Sequence, residues 1–443
     1  MKQVFPAGPR SFVPLKNFLS FRKDPLAFFG QLRSYGEVSH TKLMGRHFFL
    51  INDPALIKTV LLDNSGRYTK GPALIRARIL LGDGLLTSEG DLHTRQKRLM
   101  MPAFHRTHIP HYGEAMVACA EKVMATWQDG QALDLRTEMM KATLDIAGST
   151  LFGASLEGEA VEISRALGAV LRVSGVAGFP GQELLRHLPL PSSVRFHEAH
   201  RHLDDLVYRM IQQRRDSSEE RLDLMTMLLR AQDADDGSTM TDQQVRDEVM
   251  TLFIAGHETT SNALSWCWML LAQNPGVLAK LEEELAAVLQ GRRPTAADYP
   301  KLSYTEMVFS EALRLYPPAW AMGRSVKEAH QLGPWHLPKK SLLVMSQWLM
   351  HRDPRYWDQP DTFNPERFSP EAKAARLPYT YFPFSAGPRG CIGDGFAWME
   401  GVLLVAAFAQ KWRFELQPGQ VVLPQPQITL RPKDGLPVVL KKR

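Results

Sequence analysis

Phe384-Ser385-Ala386-Gly387-Pro388-Arg389-Gly390-Cys391-Ile392-Gly393 is the most informative stretch of the chain. Its glycines and proline describe a tight, strained turn. Glycine lets a backbone approach a flat ligand closely. An apolar run from about Gly393 to Ala409 predicts a helix directly after the turn. Cys391 therefore falls at a helix N-terminus, where unpaired N–H groups and the positive dipole end favour thiolate over thiol. Arg389 adds positive charge nearby.

Working outward, the other two cysteines read differently. Cys119 sits among apolar residues and Cys267 lies between Trp266 and Trp268. Both read as small buried hydrophobes. Three cysteines in 443 residues do not make a disulfide framework and fit a reducing compartment, so the expected location is cytoplasmic. The net charge of +6 is spread thinly, with no block of like charges, which argues against nucleic acid as a partner. Lys2, Pro6, Pro9, Arg10, Pro14 and Lys16 break the N-terminal stretch, so no signal peptide or membrane anchor is expected. Thr251–Leu271 is the longest apolar stretch. Its centre carries His257, Glu258, Thr259, Thr260, Ser261 and Asn262, which lipid would penalise. It reads as a buried helix.

The chain reads as mainly α with minor β. Phe48–Ile51 predicts a strand ended by Asn52-Asp53-Pro54. From about 110 to 290 the pattern is mostly helical, with an exposed loop at Asp233–Ser238. Thr241 and Gln244 form a capping-box signature, and Asn274-Pro275 is a stop signal. Between them lies a helix of roughly 45 Å. Ser303 and Glu306 suggest a second capping box, with that helix ending before Pro317-Pro318. Apolar residues on both its sides imply that Glu311 and Arg314 are buried and need each other or a third partner. Residues 351 to 388 read as irregular.

A thiolate is what a haem iron needs from an axial cysteine. The quoted segment is similar to the haem-binding signature of the cytochrome P450 family, Phe-x-x-Gly-x-Arg-x-Cys-x-Gly, and matches it at every fixed position from Phe384 to Gly393. The resemblance spans essentially the whole chain. It implies a single haem domain over residues 1–443, with haem b held between the long central helix and the cysteine-loop helix. Glu311 and Arg314 resemble the family's Glu-x-x-Arg pair, and Arg367 in Pro365-Glu366-Arg367-Phe368 would complete a structural network. Ala255-Gly256-His257-Glu258-Thr259-Thr260 resembles the oxygen-activation motif. The resemblance assigns Thr259 and Glu258 to proton delivery, while Gly256 would let a flat group pack on the helix backbone. His257-Glu258 does not continue into a zinc-protease motif, because Ser261 stands where a second histidine is required. Arg389, Arg324, His93, Lys97 and Arg98 are the candidate partners for the haem propionates. Lys97 stands where many relatives carry arginine, which leaves Lys97 and Arg98 as alternatives.

The resemblance further implies insertion of one oxygen atom from O2 into a C–H or C=C bond. Too few residues follow Cys391 for a fused flavin reductase, so a ferredoxin or flavodoxin with its reductase is the expected electron source. A monomer is expected. Candidate pocket segments are 74–86, the face from Ala255 to Thr259, 318–322 and the turn near Gln425–Thr429. Ile75, Ile79, Leu80, Leu86, Ala319, Trp320 and Met322 make that set mostly apolar, and predict a terpenoid, fatty acid or steroid-like substrate. Two alternatives remain at this stage. One is a haem-thiolate peroxygenase or isomerase, which the Glu258-Thr259 pair opposes. The other is a non-catalytic haem carrier or sensor.

Overall fold

The computed structural model describes residues 4–9, 15–105, 107–153, 191–217, 223–232 and 237–443. Most of the loop expected at Asp233–Ser238 lies outside them. The central helix runs from Asp242 to Gln273. Thr241 and Gln244 cap it reciprocally, side chain to backbone in both directions. Asn274 ends it, and Pro275 opens the next helix, Pro275–Leu289. Among the described residues, the helices Leu135–Ile146, Pro191–Asp216, Ser303–Leu315 and Asp394–Lys411 pack most extensively against it. The largest apolar cluster forms there and includes Phe253, Trp266, Leu403 and Phe408. This surrounding burial explains a helix that is apolar on nearly every side. Among the described residues, no helix is long and apolar enough to cross a membrane.

The helix Ser303–Leu315 corrects one expectation. Ser303 does not cap it. Glu284, from the preceding helix, accepts the N–H groups of Tyr304 at 2.6 Å and Thr305 at 2.8 Å. An ionised carboxylate satisfies two orphan donors and meets the positive helix end, which a serine hydroxyl cannot match. Glu306 is drawn instead to Lys373, at 2.7 Å.

The main sheet has five short strands in the order Val38–Leu43, Arg46–Ile51, Leu342–Met345, Met322–Val326, Tyr68–Lys70. Only the pair Arg46–Ile51 and Leu342–Met345 is parallel. Register places Lys70 directly opposite Arg324. Both side chains are buried, at 4% and 6% exposure. Like charges directly opposite one another are destabilising in a sheet. That pairing needs an anion close by.

Candidate active site

The cysteine loop is fixed from several directions. The Cys391 N–H donates to Phe384 O at 3.0 Å, closing the turn. The Phe384 ring packs on Trp398 of the following helix, with centroids 5.6 Å apart. Gly387 has φ +71°, and a Cβ there would stand 2.2 Å from Leu61 O. Only glycine permits that approach. Lys97 donates to Pro388 O at 2.9 Å and Gly390 O at 3.4 Å, tying the loop to the helix Gly90–Met100.

The surroundings of Cys391 differ from the expected ones. The helix begins at Asp394, after Ile392 and Gly393. Arg389 turns away from the sulfur and donates to Glu89 at 2.8 Å and to the carbonyls of Ser65 and Tyr68 at 3.1 Å. The cation that acts on the thiol is Lys97. Cys391 is exposed. Enough protein still encloses the sulfur that desolvation dominates and pushes the thiol up to about 11. The Gly393 N–H and Lys97 pull the other way, while Asp394 pushes further up. The loop alone therefore keeps a thiol at neutral pH. A bound metal ion is what deprotonates a coordinating thiol.

The central helix is buried from Val245 to Leu271 except at Ala255, Gly256 and Thr259. These three share one helix face. The Thr259 hydroxyl donates to Ala255 O at 2.6 Å. A methyl group on Gly256 would meet only Leu151 and Ala147, at 3.9 and 4.0 Å, so internal packing does not demand glycine there. Glu258 points elsewhere. It is buried, and its Oε1 accepts from the Thr429 hydroxyl at 2.9 Å. Asn262 donates to Thr429 at 3.0 Å, and Arg136 donates to Asn262 at 3.3 Å. Oε2 of Glu258 has no hydrogen-bond partner among the described residues. The acid and Thr259 therefore do not touch. The route of Thr429, Asn262 and Arg136 carried no local signal, because three distant segments build it.

A cluster of cations lies beside the cysteine loop. Lys70, His93, Lys97, Arg324 and Arg389 influence one another, with Glu89 as the carboxylate among them. Burial lowers Lys70 to about 7 and Arg324 to about 10. Burial, then Lys70, Arg389 and Lys97, lowers His93 to about 4, so it is neutral at pH 7. Lys97 lies one turn after His93 on the same helix face, whereas Arg98 is on the exposed side. Lys70 and Glu89 were not legible in the sequence. A three-residue strand has too little pattern to announce Lys70, and Glu89 is recognised only by its contacts with the Lys70 N–H and Arg389.

Glu311 and Arg314 are both fully buried and joined by two bonds of 2.6 and 2.7 Å. Arg367 Nε lies 3.4 Å from Glu311. Arg314 also donates to the carbonyls of His351, Pro360 and Thr362. His351 in turn accepts the Phe382 N–H at 3.0 Å, just before the cysteine loop.

The expected pocket residues divide. Ile75 and Ile79, one turn apart, are exposed at 48% and 45%. Ala319 is exposed, and Leu86 and Met322 are half-buried. Leu80 and Trp320 sit in packed core instead. Leu80 belongs to the main cluster, and its carbonyl accepts from Arg246 at 3.0 Å. Trp320 packs on Phe29 and donates to Gln427 O at 2.9 Å. Apolar character alone did not separate core from lining.

The arrangement fits a haem. An exposed cysteine can serve as the soft axial ligand. A short open stretch of an otherwise sealed helix offers a flat group one wall. Crowded buried cations suit a group carrying two carboxylates. Comparison with known proteins agrees. The family profile described as Cytochrome P450 matches residues 6–438. The chain is 39% identical to cyclooctatin synthase of Streptomyces melanosporofaciens, over 93% of this chain and 90% of that protein. It is 33% identical to pentalenene oxygenase of Streptomyces avermitilis, over 91% and 89%. The crystal structure of the cytochrome P450DA heme domain matches with a TM-score of 0.89 at 25% identity, covering 99% of this chain and 98% of that one. The chain belongs to the cytochrome P450 family. It is a haem-dependent monooxygenase that acts on hydrophobic substrates.

Proposed function

We propose that this enzyme hydroxylates or epoxidises a polycyclic terpene hydrocarbon or its alcohol, using haem b ligated by Cys391. The observation that carries this reading is an exposed cysteine together with a central helix whose span from Val245 to Leu271 opens only at Ala255, Gly256 and Thr259. The names of two relatives, cyclooctatin synthase and pentalenene oxygenase, support the substrate class. So do the apolar side chains of Ile75, Ile79, Leu86 and Ala319, which are not sealed into the core. Electrons come from a ferredoxin or flavodoxin with its reductase, and the net charge of +6 favours an acidic donor. The enzyme acts as a single-domain monomer in the cytoplasm.

When bound, the haem supplies an iron whose thiolate ligand favours O–O cleavage. The protein's part is to bind, orient and deliver protons. Lys97, Arg324 and Arg389 hold the propionates, with His93 as a neutral donor, and Phe384 packs beneath the loop. Lys97 takes this role in preference to Arg98, because it shares a face with His93 and reaches the loop. Lys97→Ala should speed haem transfer to an apo-globin acceptor by about tenfold, the worth of one charge-assisted hydrogen bond. Arg98→Ala should leave that rate unchanged. Equal effects would remove Lys97 from the role.

Thr259 is the residue that hands a proton into the open face, by turning its hydroxyl from Ala255 O. Glu258 is the acid behind it, held by Thr429 in the resting arrangement. Incubation with a surrogate ferredoxin pair, NADPH and a polycyclic terpene should yield products heavier by one oxygen. Thr259→Val should still bind that substrate and consume O2, while product falls about 10²-fold, the lower range for loss of a proton-transfer group. Full product yield from Thr259→Val would defeat the assignment. Turnover with fatty acids alone would defeat the terpene reading.

A further inference from the structure

The loop Gly82–Ser88 joins the helices Pro72–Leu81 and Gly90–Met100 and is seated on the central helix. A Cβ on Gly84 would stand 2.2 Å from Thr251 Oγ1 and 2.5 Å from Asp247 O. No residue larger than glycine allows that seat. Side chains from three other elements hold the loop backbone. Asp83 N–H donates to Asp247 at 2.9 Å, and Leu85 N–H donates to Glu248 Oε2 at 2.9 Å. Lys70 Nζ donates to Leu85 O at 2.7 Å and to Ser88 O at 2.6 Å. Gln96 donates to Asp83 O at 2.6 Å.

Burial within this loop is reversed from the usual order. Thr87 and Ser88 are buried, while Leu85 and Leu86 stay half-open. Leucine is ordinarily the more buried type. The loop therefore hides its hydroxyl groups, while its leucines pack against the main apolar cluster and keep part of their surface open. On the central helix, Glu248, Leu252, Ala255 and Thr259 step by four, three and four residues, so they share a face. Glu248 thus stands on the face that opens two turns later at Ala255.

Glu248 is itself fully buried. A buried carboxyl is costly, and this one holds a single backbone N–H; its Oε1 has no partner among the described residues. We propose that Glu248 is a positioning residue for substrate selectivity: by gripping Leu85 N–H it fixes Leu85 and Leu86 as an apolar wall beside the open face of the central helix. It acts through the loop and touches no reacting atom. Burial pushes Glu248 up to about 8, against the Leu85 N–H and Lys70, with Asp247 adding to the rise. Glu89, Arg324 and Arg389 stand behind Lys70. At neutral pH the group is therefore mostly the neutral acid, whose carbonyl oxygen a glutamine reproduces.

The proposal rests on the haem-thiolate site only in needing an iron to bind the probes. These are imidazole and 4-phenylimidazole, titrated by Soret shift into the holoenzyme. Imidazole needs only the metal, whereas the phenyl ring must fit against the apolar wall. Glu248→Leu should weaken 4-phenylimidazole relative to imidazole by about tenfold, the worth of one lost buried hydrogen bond expressed as affinity. Glu248→Gln should restore the wild-type ratio, and the reduced carbon monoxide spectrum should stay normal in both. Failure of the haem-thiolate reading would appear first, as an abnormal spectrum in the wild type. An unchanged ratio in Glu248→Leu with a normal spectrum would overturn the role of Glu248. If that variant loses its haem, amide exchange in the wild-type holoenzyme decides. A slowly exchanging Leu85 amide that stays slow in Glu248→Gln supports the grip, and one exchanging like an unstructured peptide refutes it.

Discussion

Cys391→Ala should abolish the strongly red-shifted Soret band that thiolate-ligated haem gives on reduction with carbon monoxide, and product formation should fall to background. Cys391 is exposed, while the other two cysteines are buried. Burial pushes Cys267 and Cys119 upward as well, and neither adjoins a cation cluster of the kind beside the cysteine loop. The loop that carries Cys391 is held by the Cys391 N–H to Phe384 bond, by Lys97 and by the contact of Gly387 with Leu61, none of which uses the sulfur. The variant should therefore fold, and its lost spectrum should report lost ligation. Urea unfolding of the haem-free proteins checks this: wild type and variant should have unfolding free energies within about 0.5 kcal/mol of each other, the usual span for a substitution away from packed contacts. A Cys391→Ala protein that kept its pigment and the red-shifted band would place the ligand elsewhere.

The sequence was most legible where signals are local. The turn around Cys391, the Thr241–Gln244 cap and the Asn274-Pro275 stop each lie within a few residues, and each is found in the structure. The burial of Glu311 and Arg314 was legible too, because apolar residues flank them on both sides. Legibility failed where a distant segment decides the outcome. Glu284 displaces Ser303 as a cap because it arrives from another helix with a full charge. Glu89 draws Arg389 away from the sulfur for the same reason. Leu80 and Trp320 are apolar residues in apolar segments, and only the packed structure separates core from lining. Lys70 opposite Arg324 is a matter of strand register, which three residues cannot declare.

Glu311→Gln should destabilise the fold by about 3–5 kcal/mol, because removing one partner of a buried ion pair leaves the other uncompensated. Arg314 has no exposure; beyond Glu311 it meets the carbonyl oxygens of His351, Pro360 and Thr362 and the Trp357 ring at 5.0 Å, none of which carries a full charge. Arg367 would lose its carboxylate at 3.4 Å as well. The damage should reach the cysteine loop, since Arg314 holds His351 and His351 holds the Phe382 N–H. Haem content should therefore drop together with the urea midpoint. Arg367→Ala should cost less, because Arg367 stands at the edge of the network and donates otherwise to Gln359 O. The sign of coupling separates a charge effect from simple loss of contacts. Replacing Glu311 and Arg314 together by methionine removes both buried charges, and such replacements are often neutral relative to breaking the pair. The double variant should be more stable than Glu311→Met alone. If the two costs merely add, the pair is held by packing and its charges contribute little.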